Sequence, residues 1–400
     1  MYKKILYSPL ASLVFLVLSS SFFMTYITVR LNNINIPESV VGYIHSAFYG
    51  GMLIGAIKSE GLINRVGHIR AFASFSSVIT ITIILQAFYP NPNIWIILRF
   101  FAGLSVASSY VVIESWLLAQ SNKKTKGKIL SLYMLCLYSS QTASQFLLDI
   151  IDIQTLEPFL LAAIISSLAI IPSSVTYMQA PEIETEHKIS ILKYFNTSPF
   201  DFIGCVVSGL MLGSIYSFLP NYSQDNNLSV SAVLGITIAG GFCLQWSIGK
   251  MSDMFDRAKI LTLISLINVL ACILILLVSP HHIWVYIFSF IFGGLSFTIY
   301  PVSIAQVCDH LEHGNIVNIT GALLFAYGVG AVLGTPIVAL LIENFSSSAI
   351  FFYISFISLF LFLFGLYTII KVKPVLKEDQ VEFVAMPRAT PIASNLDPRA

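Results

Sequence analysis

The stretch RFFAGLSVASSYVVIESWLLAQ (residues 99–120) decides how this chain is read. It is apolar and long enough to cross a bilayer, whose hydrocarbon takes about 20 helical residues. Yet it carries a charge near each end, Arg99 and Glu114. A charge inside hydrocarbon costs roughly 2.5 to 3.5 kcal/mol on insertion scales, so such residues face a partner or a wet cavity. One piece of it, FAGLS (101–105), returns as FGGLS (292–296), an offset of 191 residues.

The rest of the chain has the same character. Of 400 residues, 56% are hydrophobic and 10% charged, against about 25% charged in a soluble domain. Runs and breakers predict twelve spanning helices, at 8–29, 39–57, 71–89, 93–119, 129–150 and 157–178, then 201–220, 229–249, 259–279, 282–306, 317–342 and 348–371. The fold class expected is therefore an all-α membrane protein. The N-terminus, MYKKILYSPLASLVFLVLSSSFFM, starts like a signal peptide, but its apolar run continues to Val29 without a small-x-small cleavage site. It is read as a retained helix.

Only one connection is long. QAPEIETEHKISILKYFNTSPF (179–200) is polar and reads as a linker between an N-terminal bundle, 1–178, and a C-terminal bundle, 201–371. The tail, 372–400, mixes charge, Pro and Ala, and is expected to be a mobile end outside the membrane. With the N-terminus inside, 19 of the 21 Lys and Arg residues fall on the inner side; only Arg30 is outside, and Arg99 lies within a helix. That asymmetry supports the count of twelve and places both termini in the cytoplasm.

The halves repeat. AFYGGMLIG (47–55) aligns with TIAGGFCLQ (237–245) at an offset of 190, Tyr26 with Tyr216 at 190, and Tyr138 with Tyr327 at 189. Two six-helix halves related by pseudo-symmetry are the arrangement of secondary transporters, whose site lies between the halves near the midplane.

Two loops in symmetric places carry a family resemblance. EGLINRVGHIR (60–70) and GKMSDMFDRAK (249–259) resemble the G-x-x-x-D-R-x-G-R-R loops of the major facilitator superfamily. Asn64, Arg65, Gly67 and Arg70 match in the first copy, with the leading Gly displaced to Gly61 and Asn64 at the acidic position. In the second copy Gly249, Asp253 and Arg257 match, and Asp256 replaces the second Gly. Arg99 with Gly103 is similar to the R-x-x-x-G pattern of that superfamily's fourth helix. RFFAGLSVASSYVVIES, GSIYSFLPNY, LQWSIGKMSD and GLSFTIYPVSIA look like the YcaD-type bacterial permeases, a branch with no settled substrate.

The resemblance implies a twelve-helix fold of two pseudo-symmetric bundles in the bacterial inner membrane. It implies alternating-access transport of a small solute, with protons as the expected coupling ion, and basic loops that hold the cytoplasmic side closed. Glu114 lies 15 residues from Arg99, roughly 22 Å along a helix, so the two cannot pair on it. Glu114 is read as the latch partner of Arg65 and Arg70 in preference to a proton-coupling carboxylate, with a snorkelling surface residue as the bland alternative. For each of Arg65, Arg70 and Arg257, a mere topology signal stands beside the latch.

Arg99 either faces the cavity or snorkels outward. His45 is either a titrating group or a packing residue. Tyr138, Gln141 and Gln145 form one polar stripe, at i, i+3 and i+7. Opposite them in the repeat stand Tyr327, Gly330 and Gly334, followed by Pro336. Tyr26, Tyr110, Tyr216, Gln245 and Tyr300 complete the cavity candidates, with helix packing as the alternative for each aromatic. The helix-five Gly-Pro pattern of drug antiporters is missing.

Five cysteines without metal-ligand or CxxC spacing read as small hydrophobes. CDHLEH (308–313) is a weak metal candidate, at a helix end. No phosphate-binding Gly loop or acid/base set points to ATP drive or an enzyme. Net charge of +1 offers nothing for nucleic acid. No cofactor or metal is expected, and the protein is expected to be monomeric. The competing function is a non-transporting member of the fold, a sensor or assembly partner.

Overall fold

The computed structural model describes residues 2–122, 124–176, 198–278, 283–309, 316–372 and 380–399. Most of the linker 179–200, the His310–His313 part of CDHLEH and residues 373–379 of the tail lie outside them.

In hydrocarbon every backbone N–H and C=O must be satisfied within its own segment, which apolar runs of this length achieve as helices. The first half holds α1 (Tyr2–Asn33), α2 (Glu38–Lys58), α3 (Glu60–Val66), α4 (His68–Phe88), α5 (Pro92–Ala119), α6 (Lys126–Gln145), α7 (Glu157–Leu168) and α8 (Ile170–Ser174). The second holds α9 (Pro199–Asp225), α10 (Val230–Met254), α11 (Arg257–Leu277), α12 (Trp284–Asp309), α13 (Ile316–Asn344) and α14 (Ala349–Lys371). Several helices outrun their predicted limits, since polar ends can stay helical beyond the hydrocarbon. Short α3 comes from the basic loop, and the sixth span breaks into α7 and α8 just ahead of Pro172, which has no N–H to continue the ladder.

Among the described residues, eleven helices are long and apolar enough to cross a membrane. The twelfth place in the bundle belongs to α6, whose Ser, Tyr and Gln residues lower its hydropathy and which packs between α1 and α10.

Caps set the helix starts. The Asn91 side chain accepts from the N–H of Asn93 at 2.9 Å, with Pro92 in the first turn of α5, and Asp256 accepts from Ala258 at 3.0 Å to start α11. Gly67 sits at φ 85° between α3 and α4, in the left-handed region that a side chain disfavours. Its N–H closes α3 on the Ile63 carbonyl at 2.8 Å, while its own carbonyl starts α4 by accepting from Ala71 at 3.0 Å.

The repeated glycines do the same work in both halves. A Cβ on Gly103 would strike the Phe48 carbonyl of α2; one on Gly293 would strike the Thr237 carbonyl of α10. Gly103 and Gly293, 190 residues apart, thus make the same kind of contact, two helix backbones touching, while Gly294, which the echo aligns with Gly103, meets the Leu244 side chain. Gly103→Leu is expected to cost at least about 1–3 kcal/mol through overpacking, read as a lower melting temperature in detergent; an unchanged value would mean the backbones do not touch.

Candidate functional site

The two halves meet unequally. At the end of the bundle away from the basic loops, α2 packs on α13 and α1 on α9. Thr28 Oγ1 donates to the Ser217 carbonyl at 2.9 Å, Asn221 Nδ2 to Glu38 Oε1 at 2.6 Å, and Ser46 Oγ to the Val332 carbonyl at 2.8 Å. Glu343 accepts from the Ser39 N–H at 2.7 Å, and Asp149 from Ser231 at 2.6 Å. This face is closed. Toward the basic loops the halves diverge around a central cavity of about 130 Å³.

Five of the eleven cavity candidates line that space: Tyr110, Tyr138, Gln141, Tyr216 and Tyr327. The Tyr216 hydroxyl donates to Gln141 Oε1 at 3.2 Å, bridging the halves, and Tyr138 does the same to Gln245 Oε1 at 3.2 Å. Tyr300 packs edge-on against Tyr327, ring centres 5.3 Å apart. Ser20, Ser21, Met24, Phe48, Tyr49 and Met52 also form the wall. Their only signal in the sequence was position on α1 and α2 at the level of the repeated tyrosines.

Of the six that do not line it, Gln245 and Tyr300 stand beside Tyr138 and Tyr327, and four lie elsewhere. Tyr26 is fully buried in an aromatic cluster with Phe22, Phe23 and Phe159, facing α7 rather than the cavity. His45 is buried in the closed face, its Nε2 bonded to Thr28 Oγ1 at 2.8 Å. Gln145 turns from the stripe to α1, where its Oε1 accepts from Thr25 at 2.8 Å and its Nε2 donates to Ser21 Oγ at 3.1 Å. Arg99 is 2% exposed, which excludes the outward snorkel, but it stands one layer behind the wall. Its guanidinium lies 4.2 Å from the Phe48 ring centre and donates to Met24 Sδ at 2.7 Å; among the described residues no carboxylate pairs with it.

The basic loops also differ from expectation. Asn64, Arg65 and Arg70 are exposed. Glu114 is fully buried and pairs with neither arginine; it accepts from the Tyr133 hydroxyl at 2.7 Å and from Thr390. Glu114, Arg65 and Arg70 all belong to the N-terminal half, so the missing pair reflects where Glu114 points, which is to Tyr133 of α6 and Thr390 of the tail. In the second loop Arg257 is buried between Asp253, at 2.9 Å, and Asp309, at 3.0 Å. It is therefore an ion-pair centre rather than a topology signal. Asp309 is the described acidic member of CDHLEH, and Cys308 beside it is a free thiol.

The tail is the main correction. Residues 380–399 are folded into the opening between the halves instead of hanging free. Asp309 accepts from the Val381 N–H at 2.9 Å, Asp253 from the Phe383 N–H at 2.9 Å, and Arg257 donates to the Val381 carbonyl. The Phe383 ring covers Gly249, where a Cβ would strike it. Pro387, Arg388 and Ala389 enter the cavity wall. A 3-10 turn, Pro391–Leu396, then packs on α5, α6 and α13 with Ile392, Ala393 and Leu396 buried. Arg399 closes the segment by a forked pair to Asp397, Nη2 to Oδ2 at 2.6 Å and Nε to Oδ1 at 2.9 Å.

The family model for the Major Facilitator Superfamily matches residues 10–334. The chain belongs to the major facilitator superfamily. Among curated relatives, the uncharacterized MFS-type transporter YcaD of Salmonella heidelberg (strain SL476) is 28% identical over 359 residues, covering 87% of this chain and 92% of that protein. The same name and identity come from Salmonella agona (strain SL483). In structure the superfamily fold is similar to that of the nucleoside transporter NupG, TM-score 0.76 at 13% identity, over 93% of this chain and all of that one. It is also similar to an inward-facing, occupied bacterial homolog of the human lysosomal transporter Spinster, TM-score 0.73 at 12% identity, over 94% and 97% of the two chains. Membership of this superfamily, with its spanning helices, makes the chain a multi-pass membrane protein of a transporter family.

Proposed function

We propose that the protein carries a small solute across the bacterial inner membrane by secondary active transport, its halves 1–178 and 201–371 rocking about the central cavity. The unequal contact between the halves supports this most directly. One face is closed by side-chain bonds between the halves, and the other opens onto a tyrosine-lined space. With the basic face in the cytoplasm, as the Lys/Arg distribution favours, both termini lie inside and this is an inward-facing state. The loops at Arg65–Arg70 and Asp253–Arg257 then stand where the cytoplasmic side must close.

Glu114 is the group best placed to couple protons. It is a buried carboxylate with no cation at ion-pair distance among the described residues, held by the hydroxyls of Tyr133 and Thr390 and by the Ala393 backbone. This reverses the preference between latch and coupling. Purified protein in proteoliposomes is expected to show saturable solute flux that stops when thiols placed at positions 46 and 332 are cross-linked. Glu114→Gln is expected to cut gradient-driven accumulation by about tenfold or more while leaving solute exchange within a few-fold. Undiminished proton-driven accumulation in that variant would remove Glu114 from coupling. Absence of flux with every solute tried would favour a sensor.

A further inference from the structure

We propose that Pro387–Thr390 of the tail are a tethered occupant of the central cavity, and that the site they fill takes a small organic cation bearing a guanidinium group. The inference deepens the transport reading and rests on it for the identity of the cavity.

The case starts from α12, independently of the tail. In a helix the carbonyl of residue 297 would accept from the N–H of residue 301, but position 301 is proline and has none. The Phe297 carbonyl is therefore left free in the middle of the membrane, where an unmet acceptor is costly. Beside it stand the Phe297 ring and the rings of Tyr138 and Tyr216, with Tyr300 and Tyr327 close by. Tyr216 and Tyr138 pack on Phe297 with ring centres 5.7 and 6.1 Å away. The sequence FTIYP (297–301) thus builds an aromatic wall with one exposed acceptor.

The tail shows what that site accepts. Arg388 donates to the Phe297 carbonyl and to the Tyr138 hydroxyl, the latter at 3.3 Å. Its guanidinium lies 5.1 Å from the Phe297 ring centre and 5.7 Å from that of Tyr300. Among the described residues no carboxylate lies at ion-pair distance from Arg388; Glu114 meets the occupant at Thr390 instead. A cation held by π faces and a carbonyl, without a counter-charge, must give up its water readily. The planar, weakly hydrated guanidinium does so better than an ammonium. Arg99, behind Met24 and Phe48, is a fixed positive charge that opposes deeper penetration.

The rest of the tail is anchorage. Asp253, Arg257 and Asp309 grip the backbone of residues 381–383, and Pro391–Leu396 wedges against both halves. While seated, this segment separates α5 and α6 from α13 and holds the basic face open. A tethered occupant competes at an effective concentration in the millimolar range. Free ligand therefore binds more weakly, by the fraction of time the tail is out.

The test uses the full chain and agmatine, with arginine and putrescine as comparisons. Arg388→Ala is expected to lower the apparent Kd for agmatine by roughly ten- to a hundredfold relative to the unaltered chain. Arg388→Gln serves as the second variant should the first not fold. In the Arg388→Ala background, Pro301→Ala restores an N–H for the Phe297 carbonyl and is expected to weaken agmatine by about tenfold. A maleimide-reactive Ser394→Cys should become faster to label when agmatine is added to the otherwise unaltered chain, because displacement is reciprocal. Arginine binding as well as agmatine would support the guanidinium as the recognised group, and putrescine binding equally would overturn it. Agmatine affinity indifferent to Arg388, or no agmatine binding in any variant, overturns the proposal. These readouts need no flux, so their failure is distinct from failure of the transport assignment.

Discussion

Arg257→Ala is expected to destabilise the protein by about 3–5 kcal/mol, the cost of stranding a buried charge when its partner is removed. Arg257 and Asp309 are 1% and 2% exposed, so neither falls back on water when the other is lost. The variant also gives up the donor to the Val381 carbonyl, one of the three bonds that hold residues 381–383. Asp253 is 32% exposed and can be resolvated, so Asp253→Asn should cost only about 1 kcal/mol. Unfolding in detergent measures both. Arg257→Ala combined with Asp309→Asn should recover part of the single loss, since the orphaned carboxylate is then gone. A single-variant loss below about 0.5 kcal/mol, within the range of surface changes, would mean the cluster is solvated.

Why the ion pair escaped a reading of the sequence says much about what is legible in such a chain. Helix number, the internal repeat and the superfamily were all readable, because they depend on local apolar runs and on equal spacing. Gly103 and Gly293 carry that information as backbone contacts, which only small residues permit. The cavity tyrosines were partly readable for the same reason: Tyr138 and Tyr327 are repeat mates and both line the site. Tyr26 shows the limit, since its mate Tyr216 faces the cavity while Tyr26 is held by a phenylalanine cluster. Repeat position predicts depth in the membrane, not which way a ring points.

Charges were harder. Glu114 and Arg65 lie at the same end of the bundle, and proximity favoured a pair; Glu114 turns instead to Tyr133 and Thr390, and no local pattern tells which way a buried carboxylate faces. The tail was missed because its charges and prolines resemble a disordered end. Its apolar residues, Val381, Phe383, Met386, Ile392 and Leu396, have no helical spacing to flag them. They bury by filling a space that exists only once the bundle is built.

Arg99→Met is expected to leave stability unchanged or raise it by about 1–4 kcal/mol, while transport falls by tenfold or more. Arg99 is buried without a carboxylate, held by the Phe48 face and by Met24 Sδ, and its Nε has no partner in the structure. A sulfur and a ring replace only part of the lost hydration of a guanidinium, so the fold bears a cost that an apolar side chain of similar length removes. Charges retained in hydrocarbon at such a cost mark function by default. The groups through which this one reaches the cavity are Met24 and Phe48, both in its wall. Arg99→Lys separates charge from shape: it keeps the charge but loses the flat stacking on Phe48, so partial transport would assign the effect to charge. Melting temperature and flux measured on the same preparations decide the matter. A destabilised Arg99→Met with flux lost only in proportion to folded protein would make Arg99 a packing residue.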